Sequence, residues 1–213
     1  PADKEIKKYY QEQVENKSKF LTLKNEDMKF NFISEFSAPS YRYTAKDIDN
    51  LFKSNLESKE KILISPALIS LDSLTKYSEE EVNEKTIFIP IRLSVSNWIL
   101  VLISYQEESI KILYFNPLEN SILHEVKEEF ENLYNFENEG EKKNLNIEYI
   151  YISKNLFESY DSGPLIVEAA SCLFQSNEIF DELQKKITQL SEDEPKDFIQ
   201  KTRSKQVKIL ETF

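Results

Sequence analysis

The chain has 213 residues, a net charge of −11 and 40% hydrophobic residues, which suits one domain with its own core plus extensions. Its 14 phenylalanines and 11 tyrosines are more aromatic mass than a disordered chain carries. The acidic balance argues against a nucleic-acid footprint, no apolar run approaches the roughly 20 residues of a membrane span, one cysteine allows no internal disulfide, and two glycines make no phosphate cradle.

Residues 1–40 are charged and weakly periodic and read as an N-terminal arm or as helices packed on the domain; the domain proper is expected over 41–213. The start, Pro1-Ala2-Asp3-Lys4, is no signal peptide and reads as the cut edge of a larger protein. A helix is predicted from Thr44, a plausible N-cap, with Asp47 in its first turn and Ile48, Leu51 and Phe52 on one face. Lys61 to Ile69 fits a loop or brief strand. Three buried strands follow, Thr86–Ile91, Trp98–Tyr105 and Ser109–Phe115, apolar enough to be covered on both faces. The short link at 106–108 makes the last two an antiparallel hairpin.

A helix from Leu123 to Tyr134 presents Val126, Phe130 and Leu133 on one side. The polar run 135–144 is a surface loop, and Leu145–Ile152 alternates as a fourth strand. After Asp161-Ser162-Gly163-Pro164 comes an apolar helix over Leu165–Phe174, then helical stretches over Glu178–Leu190 and beyond the acidic turn at Ser191–Pro195. This order is α+β: a central mixed or antiparallel sheet packed against a buried helix.

The ends of these elements carry the chemistry. Asn97-Trp98 opens one strand, Asn116-Pro117-Leu118 closes its neighbour, and Asp161-Ser162-Gly163-Pro164 opens the buried helix, so residues 97, 116 and 162 are expected at one edge of the sheet. A helix N-terminus favours negative charge and would acidify a cysteine to thiolate; a serine, with its far higher pKa, stays a hydroxyl. Gly163 would let the backbone pass close to a ligand, and Pro164 suits a first helical turn. The plainer reading is that Asp161 or Ser162 simply caps the helix.

Taken together, Ile87-Phe88-Ile89-Pro90-Ile91, Trp98, Tyr114-Phe115-Asn116-Pro117-Leu118 and Tyr160-Asp161-Ser162-Gly163-Pro164 resemble the clan CE, or adenain-like, cysteine proteases, which include SUMO proteases and bacterial effector deubiquitinases. The resemblance spans roughly 40 to 175, extends to the Arg203–Leu210 helix, and takes in Tyr43–Leu51 as the family's leading helix. It implies a papain-like cysteine protease fold in which the nucleophile begins the buried helix. The family's catalytic histidine falls on Asn97, its orienting aspartate on Asn116 and its cysteine on Ser162, and the glutamine of the oxyanion site falls nearest Asn155. Trp98, Gly163 and Asp161 fall on positions that line the family's channel for a modifier's tail.

Asn97 is no general base near neutral pH, and a serine hydroxyl without an imidazole has no route to alkoxide. Losing base and nucleophile together costs several orders of magnitude in rate. His124, the chain's single histidine, lies at a helix start away from these positions, and alone it builds neither a triad nor a metal site. Cys172, deep in the buried helix, is expected to be an inert core thiol.

The resemblance therefore implies a pseudoprotease that binds ubiquitin, SUMO, a related modifier or a host protein. It would be one domain of a larger bacterial effector or toxin, with no cofactor, no metal, no nucleic acid and no membrane partner. Its expected location is cytoplasmic, including the host cytoplasm reached by secretion from an intracellular bacterium. The alternative is an active deubiquitinase or deSUMOylase, a cysteine-type isopeptidase, in which engineering has replaced a cysteine at 162 and a histidine at 97. A third reading puts the working surface elsewhere, on the Glu137–Lys143 loop or the N-terminal arm.

Overall fold

A computed structural model describes residues 38–56, 61–94, 97–118, 124–134, 144–151, 156–190 and 194–211. Helix α1, Ala45–Leu56, begins as the sequence predicts. The Asp47 N–H donates to Thr44 Oγ1 at 3.1 Å, and the Thr44 N–H donates back to Asp47 Oδ2 at 2.8 Å. These reciprocal bonds satisfy donors that a helix start leaves unpaired.

Five strands make one mixed sheet in the order β1-β2-β3-β4-β5. They are β1, Ile62–Ile64; β2, Thr86–Arg92; β3, Trp98–Tyr105; β4, Ser109–Asn116; and β5, Asn144–Tyr151. The centre is antiparallel, from Thr86 opposite Ser104 through to Leu100 opposite Phe115, and both outer pairs are parallel. The Gln106 N–H closes the predicted hairpin by donating to Ser109 O at 2.8 Å. Pro90, which has no N–H to give to a ladder, still accepts from the Leu68 N–H at 2.9 Å, where β1 has given way to a single bridge.

Both faces of the sheet are covered. On one side lie short α2, Glu79–Val82, which the sequence reading did not anticipate, and α3, His124–Tyr134. There Ile87, Ile89, Ile99, Val101, Ile112 and Tyr114 pack with Val126, Phe130 and Tyr134. The other side holds α1 with α4, Ser162–Gln175, α5, Asn177–Thr188, and α6, Glu194–Leu210. Phe88, Trp98, Leu100, Leu102 and Phe115 face these helices, so successive residues of each strand serve different cores.

Helix α4 is the centre of the larger core. It is apolar almost all round, as a helix enclosed on all sides must be, and Ala169 and Ala170 let its neighbours approach closely. Cys172 is buried in it, and burial pushes its thiol up to about 11, with Glu168 adding in the same direction. The predicted 123–134 and 145–152 elements appear within a residue of expectation. The acidic turn before the last helix is shorter than expected, because Pro195 already lies in the first turn of α6, where a missing N–H costs nothing. Residues 1–37 of the expected arm, the loop 135–143 and Asn155 lie outside the described residues.

Candidate functional site

Ser162 is the first residue of α4, and its hydroxyl ties that helix to the head of β3. The main-chain N–H of Trp98 donates to Ser162 Oγ at 2.9 Å, and Ser162 Oγ donates to Ser159 O at 2.9 Å. The residue has no exposed surface. Position 162 is thereby tied to the residue that follows Asn97. Asp161 holds the N-cap position of α4 with no side-chain cap bond to that helix, and the Ser162 hydroxyl bonds outside α4, to the preceding turn and to the head of β3.

Asn116 ends β4, one step beyond the Leu100–Phe115 pair, and so reaches the same end of the sheet. Alternation turns it toward the α3 side, where Nδ2 donates to the Tyr114 hydroxyl at 3.3 Å; its Oδ1 accepts the Leu118 N–H at 3.0 Å, closing the turn after the strand. Asn97 is nine-tenths buried just before β3, and its main-chain carbonyl accepts from the Leu93 N–H at 2.9 Å. Its side-chain Oδ1 is fully buried and has no hydrogen-bond partner among the described residues.

The positions expected to touch a ligand have firm packing roles. Trp98 is buried, with its indole N–H donating to Tyr43 O at 3.0 Å and the Arg92 guanidinium 5.5 Å from its ring centre. The close approach that demands glycine at 163 is made by Tyr43: a Cβ there would sit 2.8 Å from Tyr43 Cβ. Asp161 accepts the Glu158 N–H at 3.0 Å and lies 3.4 Å from Arg203 Nη2. Burial raises its carboxyl pKa despite the opposing pull of that N–H and that guanidinium.

Sequence reasoning missed the residues that hold this end of the molecule together. Arg203 has no exposed side-chain surface; it donates to Tyr41 O at 2.8 Å and Tyr160 O at 2.7 Å, and its guanidinium lies 5.5 Å from the Tyr43 ring centre. Tyr43 donates to Gln206 Oε1 at 2.6 Å, and Gln206 Nε2 donates to Pro164 O at 2.9 Å. Burial keeps the Tyr43 phenol protonated far above its ordinary range. A signal was available: Ile199, Arg203, Gln206, Val207 and Leu210 recur at helical spacing, so a cation and an amide sit on an apolar stripe.

The remaining chemistry-bearing side chains are elsewhere. His124 opens α3 with its side chain 82% exposed and Nε2 2.8 Å from Glu128 Oε1. Cys172 sits ten residues into α4, inside the core. As the chain has one histidine and one cysteine, position 162 has neither thiol nor imidazole to draw on.

No family model matches this chain, and no curated protein matches it in sequence. Solved structures do. The SUMO protease Ulp1, with its catalytic cysteine oxidised to a sulfinic acid, superposes with a TM-score of 0.51 at 16% identity, over 84% of this chain and 83% of that one. The C-terminal Ulp1 protease domain in complex with Smt3, the yeast ortholog of SUMO, gives 0.47 at 17%, over 84% and 81%. The Xanthomonas campestris effector XopD bound to ubiquitin gives 0.46 at 8%, over 78% and 91%. At such identities the likeness is one of fold: an α+β architecture with a mixed sheet, similar to that of the clan CE cysteine proteases.

Proposed function

We propose that this chain is a catalytically silent relative of the ubiquitin-like-protein proteases, a pseudoprotease that binds a ubiquitin-like modifier. One observation carries the reading. The Ser162 hydroxyl accepts one main-chain N–H and donates to one main-chain carbonyl, in a residue with no exposed surface. A hydroxyl held between two backbone groups, with no base to take its proton, is a structural tie and not a nucleophile.

Asn97 in place of a histidine supports the same conclusion, since a carboxamide neither takes nor gives a proton near neutral pH. Support for the partner comes from the fold: its solved likenesses include a SUMO protease. An enzyme that lost its chemistry while keeping its fold would retain the surface around the head of β3. The effector context and the host-cell location belong to the same proposal.

The test is a titration of ubiquitin and of SUMO against the protein by calorimetry, run beside a fluorogenic modifier-tail assay. Binding of one modifier with no turnover is expected. Measurable hydrolysis by the unaltered chain would falsify the silent-enzyme reading. Absence of binding to either modifier at high micromolar concentration would remove the modifier as partner.

The engineered-enzyme alternative is read from the same assay on a variant carrying Ser162→Cys and Asn97→His. Turnover restored to the rate of an ordinary modifier protease would favour it. Continued silence is expected, because the 162 side chain is enclosed and bonded on both sides.

A further inference from the structure

The finish of α4 borders a cleft of about 590 Å³, within the range of about 300–1,000 Å³ usual for small-molecule sites. The helix has 14 residues, so at 1.5 Å per residue the cleft lies roughly 20 Å from Ser162.

Its floor is the larger-core face of the sheet, laid out in two rungs. Thr86, Ser104 and Lys111 stand opposite one another on β2, β3 and β4, and two residues deeper Phe88, Leu102 and Leu113 do the same. The first rung offers two hydroxyls and an ammonium, and neither hydroxyl bonds to another described residue. The second rung is apolar, and Leu173 and Phe174 of α4 continue it as a wall. Cover thins toward the cleft: Leu102, Leu113 and Leu173 are 8%, 8% and 9% exposed, whereas Leu100 and Phe115, farther along the same strands, are 0% and 2% exposed.

Charge selects the ligand. The chain carries −11 overall, yet the described residues lining the cleft include Lys61 and Lys111 and no acid. This local inversion favours an anion. Lys61 forms no ion pair with a described residue. Lys111 Nζ lies 3.0 Å from Glu148 Oε2, with the two side chains 35% and 52% exposed, a pair weak enough to be shared with a ligand. One free ammonium and one shared one match a monoanion better than a dianion.

We propose that this cleft binds a small carboxylate with an apolar chain, of the fatty-acid class. Lys111, Ser104 and Thr86 donate to the carboxylate, and the chain lies over the apolar rung and against the end of α4. An extended peptide fits less well, because β2, β3 and β4 are each paired on both sides and leave no backbone edge in the floor for a strand to join. The site is separate from the modifier-binding proposal and does not rest on it.

The test is a titration of decanoate, kept below micelle-forming concentration, into the whole chain, read by amide NMR. Saturable shifts at Ser104, Lys111 and Leu173 are expected, with Ser162 unmoved. Replacing both lysines, Lys61→Gln with Lys111→Gln, should weaken decanoate about tenfold, as expected for charge-assisted bonds at a half-exposed site. Ser104→Glu, which sets a carboxylate in the first rung, should abolish binding. Decyltrimethylammonium, with the same chain and the opposite charge, should bind the parent at least tenfold more weakly than decanoate. Equal binding of the two amphiphiles, or a double-lysine variant that binds decanoate as the parent does, overturns the inference. So does a titration with no saturable shift at the cleft. Saturable shifts there with acetyl-Glu-Leu-Glu-Leu amide but not with decanoate would make the occupant a peptide and overturn it as well.

Discussion

The two ends of helix α4 are built on opposite terms. At its start, residues 162–164 are enclosed by three segments distant in sequence: Tyr41–Thr44, the head of β3, and α6 through Arg203 and Gln206. At its finish, Leu173 and Phe174 border a cleft of about 590 Å³ with Phe88 and Leu102 behind it and Lys61 and Lys111 among its polar lining. The start of this helix is the better-tied end.

The comparison can be broken hardest at Arg203. Arg203→Ala would leave Asp161 buried beside no cation and the Tyr41 and Tyr160 carbonyls without their donor. Removing one partner of a buried pair costs about 3–5 kcal/mol, so urea unfolding should move to much lower concentration, and a marginal domain would not survive it. A midpoint within experimental scatter of the parent would show that this end is not the tied one.

Gly163→Ala tests the same junction more gently. Its new methyl meets Tyr43 Cβ, an atom one bond from the backbone that no rotamer change can move aside. Overpacking of this kind costs about 1–3 kcal/mol, and pairing the change with Tyr43→Gly, which removes that Cβ, should recover part of it, a coupling that a double-mutant cycle measures. Additive effects of the two substitutions would deny the contact.

The smallest effect belongs to the far half of the helix. Cys172 is buried, and burial raises its thiol to about 11. A raised thiol pKa means that thiolate appears only as pH climbs toward that value; at pH 8 the thiolate fraction is about one in a thousand, against roughly a quarter for a free cysteine. Labelling by a disulfide reagent at pH 8 should run at least 100-fold slower in the native protein than in urea-unfolded chain, and accelerate as the pH is raised. Native labelling at the unfolded rate would mean that this half of the helix opens readily.

Most elements were legible in the sequence because their signals are local. Thr44 and Asp47 form the predicted reciprocal cap, since both partners lie within one turn. The strands announced themselves by unbroken apolar runs, and Gln106–Glu108 by its brevity. What was not legible is long-range. Arg203 looks like any charge on a terminal helix until the turn at Tyr160 and the Tyr41 segment close around it. Gly163 suggested room for a ligand, whereas the space is taken by Tyr43, a residue 120 positions earlier whose approach no local pattern encodes.

By itself the sequence determined that position 162 carries a serine and position 97 an asparagine, with the single cysteine at 172 and the single histidine at 124. It also determined the order of strands and helices, since hydrophobic periodicity and capping act over a few residues. Only the tertiary structure decided how Asn97, Asn116 and Ser162 are used. Among the described residues Ser162 and Asn116 found backbone partners and Asn97 Oδ1 found none, an outcome set by which atoms packing brings within hydrogen-bond reach.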